Sequence, residues 1–229
     1  NANHPSLFLA DVVSSLGTTA FNQDKLGVDV AICASQKGLM MPPGLGFNAI
    51  NEKALNYSKN SKFSQPYWKW DRIIEMNKTG YYPYTPASGL FFGLNEALDM
   101  ILEEGLDQVI ERHRILGEAC RVATDTWGLD NQCLNSSEYS DSTTALIMPE
   151  GHNADELRKT IYNELNMSLG TGLGQLKSKV FRIGHLGDMN ELMLMGTLSG
   201  VEMGMQMADV PFNKGGVQAA LNFLAENNK

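Results

Sequence analysis

The sequence places one lysine where its amine could react. Lys37 closely follows the apolar run 28–34 and lies in the segment SQKGLMMPPG, which begins at Ser35. A lysine that is withdrawn from water has a lowered pKa, and its neutral amine can attack a carbonyl carbon. The residues therefore indicate nucleophilic chemistry at Lys37, with an ordinary solvated lysine at a strand end as the alternative.

Two further charged residues stand inside apolar runs. Asp11 interrupts the run SLFLADVV at 6–13, where a buried carboxylate would need a cationic partner or the turn amides of Ser14 and Ser15. Arg182 lies within KVFRI, and an arginine can hold a carboxylate through two parallel hydrogen bonds. An internal salt bridge with one of the 26 acidic residues is the alternative for Arg182.

The elements that position these residues predict an α/β fold. The runs 6–13 and 28–34 are rich in apolar and β-branched residues, which predicts strands buried on both faces, as in a parallel sheet. Ligands of such sheets bind at the carboxyl ends of the strands. Residues that follow the two runs, such as Lys37, would therefore face a shared crevice.

The remaining chain alternates between helical and strand-like spacing. The predictions are a strand at 47–50, irregular structure from 51 to 86, one or two long helices over 88–127 with a possible break at Gly105, strands at 142–148 and 179–183, and helices at 154–165, 190–207 and 216–226. Residues 1–126 are accordingly predicted to form the later part of a large domain with its connecting helix. Residues 127–229 are predicted to form a small α+β domain.

The composition argues against several classes of partner. The net charge is −8, and no stripe of basic and aromatic residues interrupts it, so nucleic acid is not expected as a ligand. No stretch reaches roughly 18 uninterrupted apolar residues, so no membrane span is expected. Three cysteines at unrelated spacings are typical of a reducing compartment, which predicts the cytoplasm, or the peroxisome in a eukaryote.

The other polar candidates predict no chemistry. His185 is interpreted as a structural turn histidine, and the stretch GTGLG at 170–174 as a flexible loop near Arg182, because it lacks the full dinucleotide-binding motif. Three histidines have no partner at metal-ligand spacing: His4, His113 and His152. No metal site is therefore expected.

Four segments, taken together in their order, resemble a known family. They are LFLADVVSSLG, GVDVAICASQKGLMMPPGLGF, YYPYTPASGLFFGLNEALDMILEEGL and KVFRIGHLGDMNEL. They resemble the class V, fold type I pyridoxal-phosphate aminotransferases, and within these the serine-glyoxylate and alanine-glyoxylate branch. Cysteine desulfurases of the same superfamily usually have a histidine before the lysine, where this chain has Gln36.

The resemblance implies a role for each matching residue around the cofactor. Lys37 would be the Schiff-base lysine and would carry the proton during the reaction. Asp11 would pair with the pyridinium nitrogen of pyridoxal 5'-phosphate. Val13, two residues on and so on the same strand face, would pack under the cofactor ring, and Gln36 would contact the phosphate.

The resemblance also implies a shared site. Tyr81 and Thr85 would reach the phosphate bound by a neighbouring subunit, so the protein is expected to be a homodimer. Arg182 would hold the α-carboxylate of the amino acid or the 2-oxo acid. Family members carry a further half of the large domain before the first strand, with a glycine-containing phosphate loop and an aromatic residue that stacks on the ring, and this chain is expected to lack it.

The implied reaction is transfer of an amino group from serine, alanine or aspartate to glyoxylate, which gives glycine. One alternative is a class V aminotransferase that does not use glyoxylate. The other is a non-catalytic fragment that is kept for folding or oligomerisation.

Overall fold

The computed structural model describes residues 4–63 and 67–227, and it divides into two compact units. The first unit comprises Asn1–Leu16 with Ala20–Glu103, and the second comprises Gly17–Thr19 with Glu104–Lys229. The long helix α5 (Leu106–Trp127) thus belongs to the second unit, whereas the sequence-based prediction placed most of it in the first domain. Whether either unit folds as an independent domain stays a prediction.

The first unit is built on a three-stranded sheet in the order β1-β2-β3. Strands β1 (Leu9–Asp11) and β2 (Val30–Ala34) are parallel, with Asp11 opposite Ile32, and β3 (Gly46–Ile50) runs antiparallel to β2. The helices of this unit are α1 (Gln23–Leu26), α2 (Glu52–Lys59), α3 (Trp70–Asn77) and α4 (Ser88–Glu104). The predicted α/β class is confirmed, although the described sheet contains one parallel and one antiparallel pair.

Only one face of this sheet carries the core cluster, although Val30 on the other face is also buried. Its core consists of Val12, Val28, Ala31 and Cys33, with neighbours such as Phe21 packed against them. On the opposite face the side chains of Leu9 and Ile32 remain 54% and 36% exposed. The prediction that both strands are buried on both faces is therefore wrong for β1.

Asp29 ties the strands of this unit to α2. Its buried carboxylate accepts hydrogen bonds from the backbone N–H of Phe8, the side-chain amide of Asn51 and the amine of Lys53, at 2.8, 2.8 and 2.9 Å. The hydrogen bonds from Lys53 and Phe8 lower the pKa of Asp29 to about 2. Asn51 also caps α2, because its side-chain oxygen accepts the N–H of Ala54.

The second unit is a three-stranded antiparallel sheet covered by helices, and two of its strands overlap the predicted segments 142–148 and 179–183. Its strands are β4 (Thr143–Ile147), β5 (Gly170–Thr171) and β6 (Val180–Gly184), in the order β4-β6-β5. Its helices are α5 (Leu106–Trp127), α6 (Ala154–Leu165), α7 (Glu191–Met207) and α8 (Gly216–Asn227). The core buries Leu146, Phe181 and Ile183 against helical residues such as Leu194 and Leu198.

Neither α2 nor α3 was predicted. Strand β5 is a second correction, because the flexible loop predicted at 170–174 begins with two residues that pair with β6. Within residues 4–63 and 67–227, no helix combines the length and the apolar content that crossing a membrane requires.

Candidate active site

Lys37 lies in a loop whose base is closed by hydrogen bonds of Ser35. Ser35 is fully buried, and its hydroxyl donates to the carbonyl of Pro42 at 2.7 Å and accepts from the N–H of Leu45 at 3.2 Å. The N–H of Ser35 also donates to the carbonyl of Leu45 at 3.1 Å. The loop that follows β2 is therefore joined across its base, and Lys37 extends from a constrained backbone.

The amine of Lys37 has no ionic partner in the described part of the chain. The residue is partly exposed, and its carbonyl accepts the N–H of Met40 at 2.9 Å. No carboxylate of the described residues lies within ion-pair distance of its amine. No described residue pairs with the Lys37 amine, so the amine is available to a ligand.

Asp11 ends β1 and is exposed, which corrects the expectation of a buried carboxylate. One carboxylate oxygen accepts the N–H of Val13 at 2.9 Å, so Asp11 bonds to the backbone of the turn that follows β1, as the turn alternative expects. Burial raises the pKa of the Cys33 thiol on β2, and the negative charge of Asp11 adds to this effect. Asp11 therefore acts electrostatically on the neighbouring strand.

Val13 and Gln36 flank these two residues. Val13 is partly exposed and lies in the turn after β1, so the expectation that it shares a strand face with Asp11 is wrong, because β1 ends at Asp11. Gln36 is exposed in the loop that carries Lys37. Their predicted contacts with the cofactor ring and phosphate stay predictions.

The arrangement of these residues fits pyridoxal phosphate. Strands β1 and β2 are parallel neighbours. Asp11, the last residue of β1, and Lys37, in the loop after β2, are therefore both placed at the carboxyl-terminal ends of these strands. A carboxylate without an ion-pair partner among the described residues can pair with a pyridinium nitrogen, and an unpaired amine can condense with an aldehyde. Asp11 and Lys37 thus have the chemistry that the ring nitrogen and the aldehyde of the cofactor require of their protein partners.

Tyr81 and Thr85 lie between α3 and α4, and both are exposed. The Tyr81 side chain is 68% exposed, and its backbone N–H donates to the carbonyl of Met76 at 3.2 Å. The guanidinium of Arg72 lies 5.3 Å from the ring centre of Tyr84. The backbone of this segment is thus tied to α3, while the Tyr81 ring faces solvent.

Arg182 lies at the centre of β6 in the second unit. Its Nε donates to the carbonyl of Thr171 on β5 at 2.9 Å. No carboxylate of the described residues lies within ion-pair distance of Arg182, so the alternative of an internal salt bridge is not observed. The side chain is partly exposed, and its two terminal nitrogens make no hydrogen bond that the described residues provide.

His185 is a structural residue, as predicted. It is fully buried, its Nδ1 donates to the carbonyl of Asp141 at 3.1 Å, and its Nε2 accepts from the hydroxyl of Thr144 at 3.0 Å. Burial, assisted by the positive charge of Arg121, lowers the pKa of His185 to about 4. The neutral ring is therefore the form that the fold contains.

Two contributors to the site were not identified from the sequence. The sequence-based predictions give Ser35 no role of its own. The hydroxyl of a serine at the end of a buried strand nevertheless often forms hydrogen bonds with the backbone of the following loop. Thr171 was included in the supposed flexible loop, because a two-residue strand of small residues has no hydrophobic period to reveal it.

Comparison with known proteins agrees with these features. The sequence model of the aminotransferase class-V family matches residues 2–173, and the chain belongs to this family of pyridoxal-phosphate enzymes. It is 46% identical to the serine-glyoxylate aminotransferase of Methylorubrum extorquens, an alignment that covers 99% of this chain and 58% of the relative. It is 40% identical to the L-aspartate-glyoxylate aminotransferase of Paracoccus denitrificans, over 96% of this chain and 56% of the relative.

A solved structure gives the same result for the fold. The chain is similar to the pyridoxamine-pyruvate aminotransferase of Mesorhizobium loti, with a TM-score of 0.89, 26% identity, and coverage of 97% of this chain and 58% of that one. The fold type I class is confirmed by this similarity. The chain spans a little over half the length of the relatives it matches.

Proposed function

We propose that the protein transfers an amino group from an α-amino acid to glyoxylate, which gives glycine, with Lys37 bonded to pyridoxal phosphate. The observation that carries this proposal is the position of an unpaired lysine and an exposed aspartate after neighbouring parallel strands of a class-V aminotransferase fold. Transfer through a bound amino group predicts ping-pong kinetics, because each substrate reacts separately with the same site.

Lys37 has two tasks in this proposal. It holds the cofactor covalently before substrate arrives, and its released amine then moves a proton to and from the substrate. The closed loop around Ser35 keeps the amine within reach during both tasks, because the loop base is joined by hydrogen bonds from the Ser35 side chain and backbone. When bound, pyridoxal phosphate supplies an electron sink for charge that develops at the substrate carbon.

Asp11 keeps the cofactor ring protonated in this proposal. A carboxylate beside a ring nitrogen favours the protonated form of that nitrogen, because opposite charges stabilise each other. The hydrogen bond from Val13 fixes the orientation of the carboxylate. Val13 then packs under the ring, and Gln36 donates to the phosphate.

Arg182 holds the carboxylate that donor and acceptor share. An α-amino acid and glyoxylate both present a carboxylate beside the reacting carbon, so one arginine can serve both half-reactions. The two terminal nitrogens of Arg182 are free of partners among the described residues, and a guanidinium fork binds a carboxylate through two hydrogen bonds.

Tyr81 and Thr85 complete the site of a second copy in this proposal. Their exposure and their position on a segment whose backbone is tied to α3 are consistent with a contact across a homodimer interface. Each dimer would then contain two sites, and each site would draw residues from both copies.

The amino donor is serine, alanine or aspartate. The relative from Methylorubrum is named for serine and the relative from Paracoccus for aspartate, so relatives of comparable identity differ in donor. We place the reaction in a reducing compartment, the cytoplasm or a eukaryotic peroxisome, which is consistent with the free thiols of Cys33, Cys120 and Cys133.

The covalent role of Lys37 is tested by trapping. Borohydride treatment of the full-length gene product with bound cofactor should leave the cofactor on a peptide that contains Lys37. Lys37→Ala should abolish this label, while Lys25→Ala, which removes an exposed lysine of α1, should retain it. A colourless protein after incubation with pyridoxal phosphate would refute the assignment.

The clamp role of Arg182 is tested by substitution. Losing a bidentate, charge-assisted contact should cost about 3 kcal/mol, or about 100-fold in kcat/KM for donor and for glyoxylate. Arg182→Lys should recover only part of this loss. Arg114→Ala, which breaks an exposed ion pair with Glu111, is the matched control and should leave both KM values unchanged. An unchanged KM for both substrates in Arg182→Ala would remove the clamp role.

The shared site is tested by mixing two inactive variants. One subunit carries Lys37→Ala, and the other carries Tyr81→Ala with Thr85→Ala. If Tyr81 and Thr85 act on the partner's phosphate, the mixed dimer contains one site with every residue intact, and activity returns. If they act within their own subunit, no mixed dimer has a complete site and activity stays absent.

A further inference from the structure

The side chain of Arg182 lies across a glycine on the neighbouring strand. Gly170 on β5 is the direct cross-strand partner of Arg182 on β6, so the two residues project to the same face of the sheet. A β-carbon added at Gly170 would lie 3.0 Å from the β-carbon of Arg182, 3.1 Å from its Nε and 3.5 Å from its Cζ. The Arg182 side chain therefore lies close to the space that a side chain at position 170 would occupy.

The backbone does not explain why this position is a glycine. Gly170 is not among the glycines with a positive φ, so alanine or valine could adopt its conformation. Valine also favours strands, whereas glycine disfavours them. The close contact with Arg182 is thus the feature of the structure that favours a residue without a side chain at position 170.

The residue after Gly170 fixes the same arginine by a hydrogen bond. The carbonyl of Thr171 accepts from Nε of Arg182 at 2.9 Å, and the hydroxyl of Thr171 lies 3.1 Å from the carboxylate of Asp155 on α6. Arg158, also on α6, donates to that carboxylate and to the carbonyl of Leu169. These contacts attach β5 to α6 on both sides of Gly170.

The strand on the other side of Arg182 also presents a small residue. Ala145 on β4 is the second cross-strand partner of Arg182, so two residues with little or no side chain flank the guanidinium. With Nε held by Thr171, the arginine can rotate little, and the edge formed by its terminal nitrogens is the part left for a ligand. Such preorganisation lowers the ordering cost of binding.

We propose that Gly170 is a positioning residue for Arg182: its missing side chain lets the arginine side chain pass close to β5 with Nε on the Thr171 carbonyl. This proposal rests on the proposed role of Arg182 as the carboxylate clamp. A side chain at position 170 lifts the guanidinium, breaks the bond to Thr171 and moves the terminal nitrogens away from the substrate carboxylate.

Gly170→Ala and Gly170→Val in the holoenzyme test this proposal. A misplacement of about 1 Å in a substrate-positioning group can cost about 100-fold in rate. The alanine variant should raise the KM for amino donor and glyoxylate about threefold, and the valine variant should raise both by about tenfold or more. Gly196→Ala, at a helical glycine with open space around it, is the matched control and should change neither KM.

A double-variant comparison separates positioning from general damage. In an Arg182→Ala background, Gly170→Val should have no further effect on either KM, because the group it displaces is gone. Borohydride labelling at Lys37 and the thermal unfolding midpoint should stay close to the parent values in Gly170→Ala, which shows that the cofactor site is intact. A structure of the valine variant should show Nε of Arg182 detached from Thr171.

The outcomes are distinct. If Arg182→Ala raises both KM values but neither Gly170 variant does, the clamp stands and the positioning role of Gly170 is refuted. Equal effects of Gly170→Val in both backgrounds would also refute it, since the damage would then not pass through Arg182. If Arg182→Ala itself leaves both KM values unchanged, the clamp and the positioning role fail together.

Discussion

The buried side chain of His185 in the second unit should make the stability of the protein sensitive to acid. His185 donates through Nδ1 to a carbonyl and accepts through Nε2 from Thr144, so its neutral form uses both ring nitrogens. Adding a proton to Nε2 would break the bond from Thr144 and place a second positive charge near Arg121. His113 is a second buried histidine, and burial lowers its pKa as well.

The size of the effect follows from the difference between the pKa of His185 in the folded protein and its pKa in the unfolded chain. The pKa of His185 is about 4 in the fold and 6.5 in the unfolded chain. Below pH 6.5 the unfolded chain takes up a proton that the folded protein does not take up until about pH 4. Unfolding is therefore favoured as the pH falls, and His185 alone should remove about 3 kcal/mol of stability between these limits. This is a large part of the stability of a typical domain.

The assay is the free energy of unfolding of the full-length gene product from urea titrations between about pH 7 and about pH 4. The variant His185→Gln lowers stability at neutral pH but lacks the titrating ring, so its loss on acidification should be smaller than that of the parent by about 3 kcal/mol. His152→Gln, the same exchange at a residue that is not fully buried, is the control. Parallel losses in the parent and in His185→Gln would refute the reasoning.

Three further predictions concern the loop that carries Lys37, the buried Asp29 and the glycine after β5. Ser35→Ala should weaken cofactor retention, measured by dialysis and absorbance, because the Pro42 carbonyl and the Leu45 amide lose their partner, while borohydride still labels Lys37 in the remaining holoenzyme. Asp29→Asn should lower the thermal unfolding midpoint at neutral pH but less so near pH 2, because the ionised carboxylate contributes stability above pH 3.8 that is lost as the pH falls through about 2. Gly172→Ala should reduce soluble yield and the unfolding midpoint more than Gly170→Ala, because the new β-carbon would overlap the carbonyl oxygen of Leu176, and backbone cannot move aside as a side chain can. A loss in Asp29→Asn that is independent of pH, or a Gly172→Ala variant as stable as the parent, would contradict the respective argument.

The elements that bury an apolar face were predictable from the sequence, and those that do not were missed. Helix α6 matches its predicted span, because Leu157 and Ile161 enter the core at helical spacing. Helix α2 buries Ala54 as its one fully buried residue, and α3 (Trp70–Asn77) buries none. Each has only eight residues, which is too short for the spacing of apolar residues to distinguish a helix from irregular structure. Tertiary contacts and the Asn51 cap define α2 instead.

The site was predictable in part, for a related reason. The types of Asp11, Lys37 and Arg182, and their positions within or directly after apolar runs, indicated the chemistry that we propose. The environment of Asp11 was not predictable, because an apolar run indicates burial without saying which face is covered. Strand β5, which holds the arginine, has two residues and no period that a sequence could show.

Most arginines of the described chain pair with a carboxylate; the exceptions are Arg72, which donates to the Tyr84 hydroxyl, and Arg182. Four arginines, at positions 112, 114, 121 and 158, each have a carboxylate partner, and the buried Asp29 has Lys53. Arg182 has no such partner among the described residues, yet its Nε donates to the Thr171 carbonyl and its side chain passes close to Gly170. Ordering a long charged side chain costs entropy that no ion pair within the described chain offsets. A ligand carboxylate would offset it, and this is the physical reason for treating the strand under Arg182 as part of the binding site.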